Sequence, residues 1–279
     1  MRWIYHETRP LERLHEQYEL ECKLHKRLMT ATKEKRRGLY TDVYDELLRK
    51  FPDNRMLAGK YDKEFSKRQI HNAMQMLGRW LNMGSTFLEI GPGDCSFALE
   101  VCKYVQKVYV VDVSYELTAG ITQPEDFELI ISDGTRIPVE SKSVDIAYSN
   151  QYMEHIHPED ALEQLNHIFI ALKVGGRYLC RTPHRQSGPH DVSKWFSDTP
   201  DGMHLKEYTY RELNDIFKSV DFKKVQAIIG ARGHYLPFRV PIFSVILLER
   251  LLAKMPFGKK LANTILIRAL LGMQVIAIK

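Results

Sequence analysis

The stretch Phe87-Leu-Glu-Ile-Gly-Pro-Gly-Asp-Cys-Ser-Phe-Ala-Leu99 decides the fold. A hydrophobic run ends on an acid, passes through a Gly-x-Gly turn and resumes with residues typical of a helix. Glycine is favoured where the backbone turns tightly or approaches a ligand, because a Cβ atom would clash there. Asp112, nineteen residues after Gly93, ends a second hydrophobic run. An acid at this distance is the expected acceptor for a ribose hydroxyl pair. The pattern predicts a strand, turn and helix that open a nucleotide-sized crevice in an α/β sheet.

Two classes of cofactor use this layout. Dinucleotide enzymes favour G-x-G-x-x-G, with a pyrophosphate on the helix N-terminus. Here the third glycine is replaced by Ser96, and Asp94 would repel a pyrophosphate. S-adenosylmethionine has no phosphate and carries a cationic sulfonium, which suits a loop bearing Glu89 and Asp94. We therefore predict an S-adenosylmethionine site. A nicotinamide-dependent oxidoreductase and a cofactor-binding interaction module without catalysis are the alternatives.

The composition is that of a globular chain, with 279 residues, 44% of them hydrophobic and 27% charged. These values allow one elaborated α/β domain with additional helices. The four cysteines form no C-x-x-C pair, and no apolar run reaches the about 18 residues that a membrane span requires. We therefore expect free thiols and a cytoplasmic location.

The net charge of +5 is unevenly distributed along the chain. Residues 238–279 carry seven Lys or Arg and one acid, Glu249, so this segment is +6 and residues 1–237 are near −1. The main body lacks the basic stripe typical of nucleic-acid-binding proteins, and we predict no nucleic-acid partner. The basic cluster Lys33-Glu-Lys-Arg-Arg37 is interpreted as a solvated helix end.

Hydrophobic spacing divides the chain into three parts. Residues 1–82 are predicted as a helical N-terminal cap and 83–237 as a core of alternating strands and helices. Residues 238–279 are predicted as a basic, apolar helical insertion, with two helices broken at Pro256-Phe-Gly258, followed by the last strand. The expected strands are Thr86–Ile90, Val108–Asp112, Phe127–Ser132, Val144–Ser149, Gly176–Thr182, Lys223–Ile229 and Met273–Ile278. This alternation predicts an α/β fold with a Rossmann-like, seven-stranded, mostly parallel sheet and helices on both faces.

Four motifs in this order resemble those of the class I S-adenosylmethionine-dependent methyltransferases. They are Glu89-Ile-Gly-Pro-Gly93, Asp112, Ser132-Asp-Gly134 and Ser143-Val-Asp-Ile-Ala-Tyr-Ser-Asn150. The resemblance covers roughly residues 86–182. Two later segments, Gly188-Pro-His-Asp-Val-Ser193 and His204-Leu-Lys-Glu-Tyr208, look like a bacterial branch that modifies surface glycans or small molecules.

The resemblance implies a cofactor role for residues after the first and fourth strands. Glu89, Gly91 and Gly93 would line the methionine half of the cofactor. Asn150 and Gln151 would face both the cofactor and the methyl acceptor. In an alternative interpretation, the asparagine only caps a helix.

It also implies roles for residues after the second and third strands. Asp112 would accept from both ribose hydroxyls, and Val113 would pack on the adenine. Asp133 would accept from the adenine amino group beside the Gly134 backbone, although these two residues could instead form a plain turn. Cys95 stands where the family usually has a small residue, and it is expected to narrow the pocket.

Methyl transfer to a hydroxyl group needs alignment and a base that removes the proton. Polar residues cluster after strands four and five, at the sheet edge where ligands bind. They are Tyr152, Glu154, His155, His157, His184, His190, Asp191, His204 and Tyr208. His155 is the first candidate for the general base because it follows the fourth strand directly. His190 with Asp191, or His184, is the next candidate. The expected acceptor is a hydroxyl of a sugar, glycolipid or small metabolite, with amines and carboxylates left open.

The same cluster could hold a divalent ion on His184, His190, Asp191 and His204. Their spacing matches no ligand template, so we predict no metal.

Two further segments carry expectations. The N-terminal helices are expected to form a lid, with Lys60-Tyr61 among the closing residues. The basic, apolar segment 240–271 has three interpretations, namely packing on its own core, a homodimer interface, and contact with a membrane surface.

Overall fold

The structure, a computed structural model, describes residue 7 and residues 9–54, 62–118 and 120–279. Lys60-Tyr61 lies outside the described residues. Within the described residues, the α-helices that precede the sheet are α1 (Leu11–Thr30), α2 (Lys33–Lys50) and α3 (Lys63–Leu77).

The sheet contains, within the described residues, eight strands. They are β1 (Thr86–Ile90), β2 (Lys107–Asp112), β3 (Phe127–Ile131), β4 (Val144–Asn150), β5 (Leu172–Arg181), β6 (Lys224–Ala227), β9 (Val240–Pro241) and β10 (Gln274–Ile278). Their spatial order is β3-β2-β1-β4-β5-β10-β6-β9. Strands β1 to β5 are parallel, and β10 is antiparallel to β5 and β6. The hairpin of β7 (Gly230–Ala231) and β8 (His234–Tyr235) lies outside this sheet.

The remaining helices cover the sheet and form the C-terminal insertion. They are α4 (Ser96–Val101), α5 (Tyr115–Thr118), α6 (Pro158–Ala171), α7 (Tyr210–Ser219), α8 (Ile242–Lys254), α9 (Gly258–Ala262) and α10 (Ile265–Leu271). Buried residues form two large apolar clusters. The strand β1 is buried along nearly its whole length, as expected for a central strand with helices on both faces.

Two details of the predicted fold were wrong. The sheet has eight strands rather than seven, because Val240–Pro241, which was predicted as part of a helix, pairs with Gln226 and Ala227 at the sheet edge. A two-residue strand is too short to show an alternating pattern. The described part of the insertion also contains three helices rather than two, because the helical conformation is interrupted a second time between Ala262 and Ile265.

The central strands meet at one edge of the sheet. Ile90 is in register with Val111 of β2 and with Ser149 of β4. The carboxyl ends of these three strands therefore lie side by side, which places Asp112 and Asn150 next to the glycine loop.

The basic cluster at the start of α2 contacts α6. Arg36 donates to both carboxylate oxygens of Asp160 at 2.7 and 2.9 Å, and Tyr40 donates to the same carboxylate at 2.7 Å. Lys33 and Arg37 both pair with Glu163. Three of these basic groups therefore hold α2 against the sheet-covering helix α6, rather than forming a free basic patch.

The four cysteines are free thiols. Among the described helices, none has the length and hydropathy that a bilayer crossing requires.

Candidate functional site

The glycine loop adopts backbone conformations that favour glycine. Gly91 and Gly93 have φ values of +65° and +60°. A Cβ atom on Gly91 would lie 2.2 Å from Cδ2 of Tyr152, so only glycine allows this ring to pack on the loop. Cys95 is also left-handed, at φ +58°, yet its side chain is buried in the apolar core with Phe87 and not among the cavity-lining residues. The expectation that Cys95 narrows the pocket was therefore wrong.

A cavity of about 420 Å³ opens at the carboxyl edge of the sheet, and it brings together most of the predicted site. Seven predicted cofactor residues line it, namely Glu89, Gly91, Gly93, Asp112, Val113, Asn150 and Gln151. Three predicted catalytic residues line it as well, namely His155, His190 and Asp191.

One carboxylate oxygen of Asp112 is hydrogen-bonded, and the other has no partner among the described residues. Its Oδ1 accepts from the backbone N–H groups of Val113 at 2.6 Å and Ser114 at 2.9 Å. Its Oδ2 is buried and has no hydrogen-bond partner among the described residues. Burial raises the pKa of Asp112 to about 6, against the lowering effect of the two N–H donors. A buried acceptor of this kind is costly unless a ligand donates to it.

Three more buried carboxylate or amide oxygens without a partner in the described structure belong to cavity-lining residues. They are Oε2 of Glu89, Oδ2 of Asp94 and Oδ1 of Asn150. The other oxygen of Asp94 accepts from the Ser96 N–H at 3.1 Å, which begins α4. Burial and the neighbouring Asp94 charge raise the pKa of Glu89 well above its ordinary value.

These four orphaned acceptors fit a ligand that carries hydrogen-bond donors and positive charge. The ammonium, sulfonium and ribose hydroxyls of S-adenosylmethionine have that chemistry. A pyrophosphate has only acceptors and negative charge, and it would be repelled by Asp94. These four acceptor oxygens thus fit S-adenosylmethionine better than a dinucleotide.

Asp133 and Gly134 are not among the residues that line the cavity. The Oδ1 of Asp133 accepts from Thr135 and from the Arg136 N–H, and closes its own turn. A Cβ atom on Gly134 would lie 2.6 Å from the ring of Tyr40, so α2 packs directly over this turn. The structure matches the plain-turn interpretation of these two residues.

His155 lies in the short 3₁₀ helix Met153–His155 that follows β4. Its Nδ1 is 3.0 Å from the carbonyl oxygen of Met203. A carbonyl only accepts, so Nδ1 carries the proton and Nε2 keeps its lone pair. Burial and the nearby His204 lower the pKa of His155 to about 3, which keeps the imidazole neutral.

His204 also lines the cavity. It belongs to the predicted polar cluster but was not among the predicted bases. Its Nδ1 lies 2.8 Å from Oε1 of Glu207, and its ring centroid is 4.8 Å from that of His155. Burial lowers the pKa of His204 to about 4. The His-x-x-Glu spacing was the signal available in the sequence. His155 and His204 thus place two neutral imidazoles on one cavity, and in each ring Nδ1 is hydrogen-bonded to an acceptor.

The predicted candidates His190 and Asp191 are engaged in local contacts. The Nε2 of His190 lies 3.1 Å from the His184 carbonyl oxygen, so it carries the proton. Asp191 accepts from the N–H groups of Ser193 at 3.0 Å and His204 at 3.3 Å. Both residues position the loop that carries them.

The structure does not bring His184 to the cavity. His184 is 2% exposed, and its Nε2 lies 2.9 Å from Oε2 of Glu249 on α8. The same carboxylate oxygen accepts from the Tyr210 N–H at 2.6 Å. Selecting His184 as a base was wrong, because its side chain joins the insertion to the core.

The four side chains that were considered for a divalent ion, His184, His190, Asp191 and His204, do not come together as a metal-ligating group among the described residues. The one group of three metal-ligating side chains found among the described residues is Glu154, His155 and His204, whose ligand atoms lie within 4.8 Å of one another. Glu154 is fully buried and accepts from the Thr182 hydroxyl at 2.8 Å. Burial raises the pKa of Glu154 to about 8, so this carboxyl is mostly neutral at pH 7.

The N-terminal helices form one wall of the cavity. Helix α1 contributes Gln17 and Glu21, and α3 contributes Phe65 and Gln69. Glu21 also accepts from the Met203 N–H at 3.1 Å, which ties α1 to the loop behind His204. Trp195, the last residue of the 3₁₀ helix Val192–Trp195, also lines the cavity.

Comparison with known proteins gives one family match. The model of a family described as "Methyltransferase domain" matches residues 33–227. No curated protein sequence matches the chain.

Solved structures with the same fold have low sequence identity. A chain from the complex of the Haloferax volcanii Trm112 methyltransferase activator is 17% identical, with a TM-score of 0.55 over 79% of this chain and 94% of that chain. Haemonchus contortus phosphoethanolamine N-methyltransferase 2 with S-adenosyl-L-methionine is 18% identical, with a TM-score of 0.51 over 83% of this chain and 60% of that chain. At these identities the likeness concerns the fold alone.

Proposed function

The chain belongs to the methyltransferase-domain family, and from this premise we propose that it transfers a methyl group from S-adenosylmethionine to a hydroxyl of a sugar, glycolipid or small metabolite. S-adenosylmethionine is the cofactor of this class I family. When bound, it supplies an electrophilic methyl group whose transfer leaves a neutral thioether. The protein contributes binding, alignment and proton removal.

One observation supports the placement of the cofactor, namely the four buried acceptor oxygens without a hydrogen-bond partner around the glycine loop. The free Oδ2 of Asp112 would accept from the ribose hydroxyls. Glu89, Asp94 and Asn150 would accept from the ammonium group and face the sulfonium. Each oxygen would gain the partner that it lacks, which repays the cost of its burial.

Proton removal is assigned to the pair His155 and His204. Both imidazoles are neutral at pH 7 because burial lowers their pKa values to about 3 and about 4. In both rings Nδ1 is held by an acceptor, which leaves the Nε2 lone pair available. A hydroxyl oxygen placed beside these rings would lose its proton to Nε2 as it attacks the methyl carbon.

The acceptor side of the cavity combines aromatic and polar side chains. Phe65 and Trp195 offer ring surfaces, and Gln69 offers an amide. Pockets of this kind bind the body of a ligand on apolar surface and orient it through a few polar groups. This mixture supports a polyhydroxylated acceptor.

Calorimetric titration with S-adenosylmethionine and S-adenosylhomocysteine, with NADH as the control, tests the cofactor. We expect micromolar binding of the first two and none of NADH. Release of S-adenosylhomocysteine on addition of sugars, glycolipids or phenols then tests the acceptor. Binding of NADH instead would favour the oxidoreductase. Cofactor binding without turnover on any acceptor would favour the interaction module.

A further inference from the structure

The C-terminal insertion has an exposed apolar stripe on helix α8. Phe243, Leu247 and Leu251 are spaced four residues apart and are 68%, 58% and 55% exposed. The opposite face of α8 is buried against the core. The helix therefore has two apolar faces, of which its own core covers one. Contiguous apolar surface of this kind marks a contact site for a partner or a membrane.

The exposed charges that residues 238–279 place around the stripe are basic, and one of them, Lys259, pairs with the exposed Asp198 at 3.5 Å. Arg250, Lys254, Lys259 and Lys260 are exposed next to it or just after it along the chain. The single acid of residues 238–279 is Glu249, which is 5% exposed and paired with His184 inside the protein. The exposed surface of this segment is thus apolar and cationic.

We propose that the stripe and its basic rim dock α8 on an anionic lipid surface. Basic residues beside an apolar helical face attract anionic headgroups while the apolar side chains enter the interface. A second copy of the chain is a poorer occupant, because a two-fold contact would place this cationic rim against itself.

The stripe is connected to the loop that borders the cavity. On the buried face of α8, Glu249 accepts from His184, and its carbonyl oxygen accepts from the Gln186 side chain at 2.9 Å. A few residues later the same loop carries His190 and Asp191 into the cavity lining. Docking would therefore bring the acceptor side of the cavity close to the lipid surface. This consequence rests on the proposed function, whereas the docking itself does not.

Co-sedimentation of the full chain with vesicles tests the docking. We expect binding to phosphatidylcholine vesicles that contain phosphatidylglycerol and little binding to phosphatidylcholine alone. Leu247→Ser and Leu251→Ser together should lower binding at least tenfold. Lys254→Glu with Lys260→Glu should abolish the preference for anionic vesicles. Ile170→Ser, at a 51%-exposed apolar position on α6, is the matched control and should bind as the unmodified chain does.

Three outcomes would overturn the proposal. They are no binding to anionic vesicles, equal loss in the Ile170 control, and a dimer in sedimentation velocity that the Leu247 and Leu251 changes dissociate. Calorimetry with S-adenosylmethionine should give the same affinity for the stripe variants and the unmodified chain. A failure of docking is therefore distinguished from a failure of cofactor binding.

Discussion

The Nδ1 atom of His204 lies 2.8 Å from Oε1 of Glu207, and this contact leaves Nε2 as the ring nitrogen that the carboxylate does not engage. A carboxylate that accepts from one imidazole nitrogen fixes the tautomer and leaves the other nitrogen as the base. Glu207 also accepts from the His190 N–H at 2.7 Å, so its own orientation is fixed. Under the proposed function, the pair would act as a base with a positioning carboxylate.

Removing the base should lower the catalytic rate without changing cofactor affinity. We expect His204→Ala to reduce kcat by about 10²- to 10⁴-fold, the usual contribution of general base catalysis. His155→Ala reports whether the neighbouring ring takes the proton instead. Glu207→Gln should lower kcat less, because the ring remains but its tautomer is no longer fixed. Measured Kd values for S-adenosylhomocysteine should stay within about threefold throughout, or the role is structural.

The same assignment predicts the effects of pH and of chelators. Because the pKa values of His155 and His204 are lowered, both rings stay unprotonated at pH 5 to 8, and kcat at saturating cofactor should show no acid limb near 6.5. EDTA should leave kcat unchanged. Loss of activity in EDTA, restored by a divalent ion, would instead assign these rings and Glu154 to a metal.

Asp112 should control cofactor affinity. We expect Asp112→Ala to weaken S-adenosylhomocysteine binding by about 5- to 150-fold, since losing one charged hydrogen-bond acceptor costs about 1–3 kcal/mol. Asp42→Ala, an exposed position on α2, is the matched control. Calorimetry measures both. Equal affinities for the two variants would remove Asp112 from the site.

Asp112 should also make the ligand-free protein less stable at neutral pH. Burial raises its pKa to about 6 in the folded state, so the folded protein takes up the proton more readily than the unfolded chain does. The free energy of unfolding that this group contributes is therefore highest below pH 4 and falls as the pH rises through 6. Asp112→Asn removes the penalty, so its Tm should exceed that of the unmodified chain at pH 7.5, and the two should converge near pH 4. A lower Tm at pH 7.5 would contradict the burial cost assigned to this carboxylate.

The sequence predicted the parts of the site that follow directly from strand ends. Gly91, Asp112 and Asn150 each stand at the end of a hydrophobic run, and parallel strands bring such ends to one edge. Local pattern was sufficient because the sheet itself makes the long-range arrangement. The same reasoning predicted the mostly parallel sheet, whereas the order of its strands came from the structure.

Residues whose role depends on distant partners were not predictable in this way. His184 could not be recognised as a partner of Glu249, since the two come together only when the insertion folds back on the core. Likewise, nothing local to Asp133-Gly134 shows that Tyr40 of α2 covers that turn. The ring nitrogen that is engaged in His155 and in His204 also depends on distant contacts, with Met203 and Glu207 respectively.

The buried pair of Arg36 and Asp160 should be the main electrostatic link between α2 and the core. The Arg36 side chain is 2% exposed, Asp160 is fully buried, and Tyr40 donates to the same carboxylate. Arg36→Ala would leave that carboxylate buried without its cation, which typically costs about 3–5 kcal/mol. Denaturant unfolding should show this loss, whereas Arg27→Ala, which breaks an exposed pair with Glu46, should cost under about 1 kcal/mol. Arg36→Met with Asp160→Asn should recover at least half of the loss, because the uncompensated charge is gone while Tyr40 keeps an acceptor. A double variant no more stable than Arg36→Ala would mean that the guanidinium acts through packing rather than through charge.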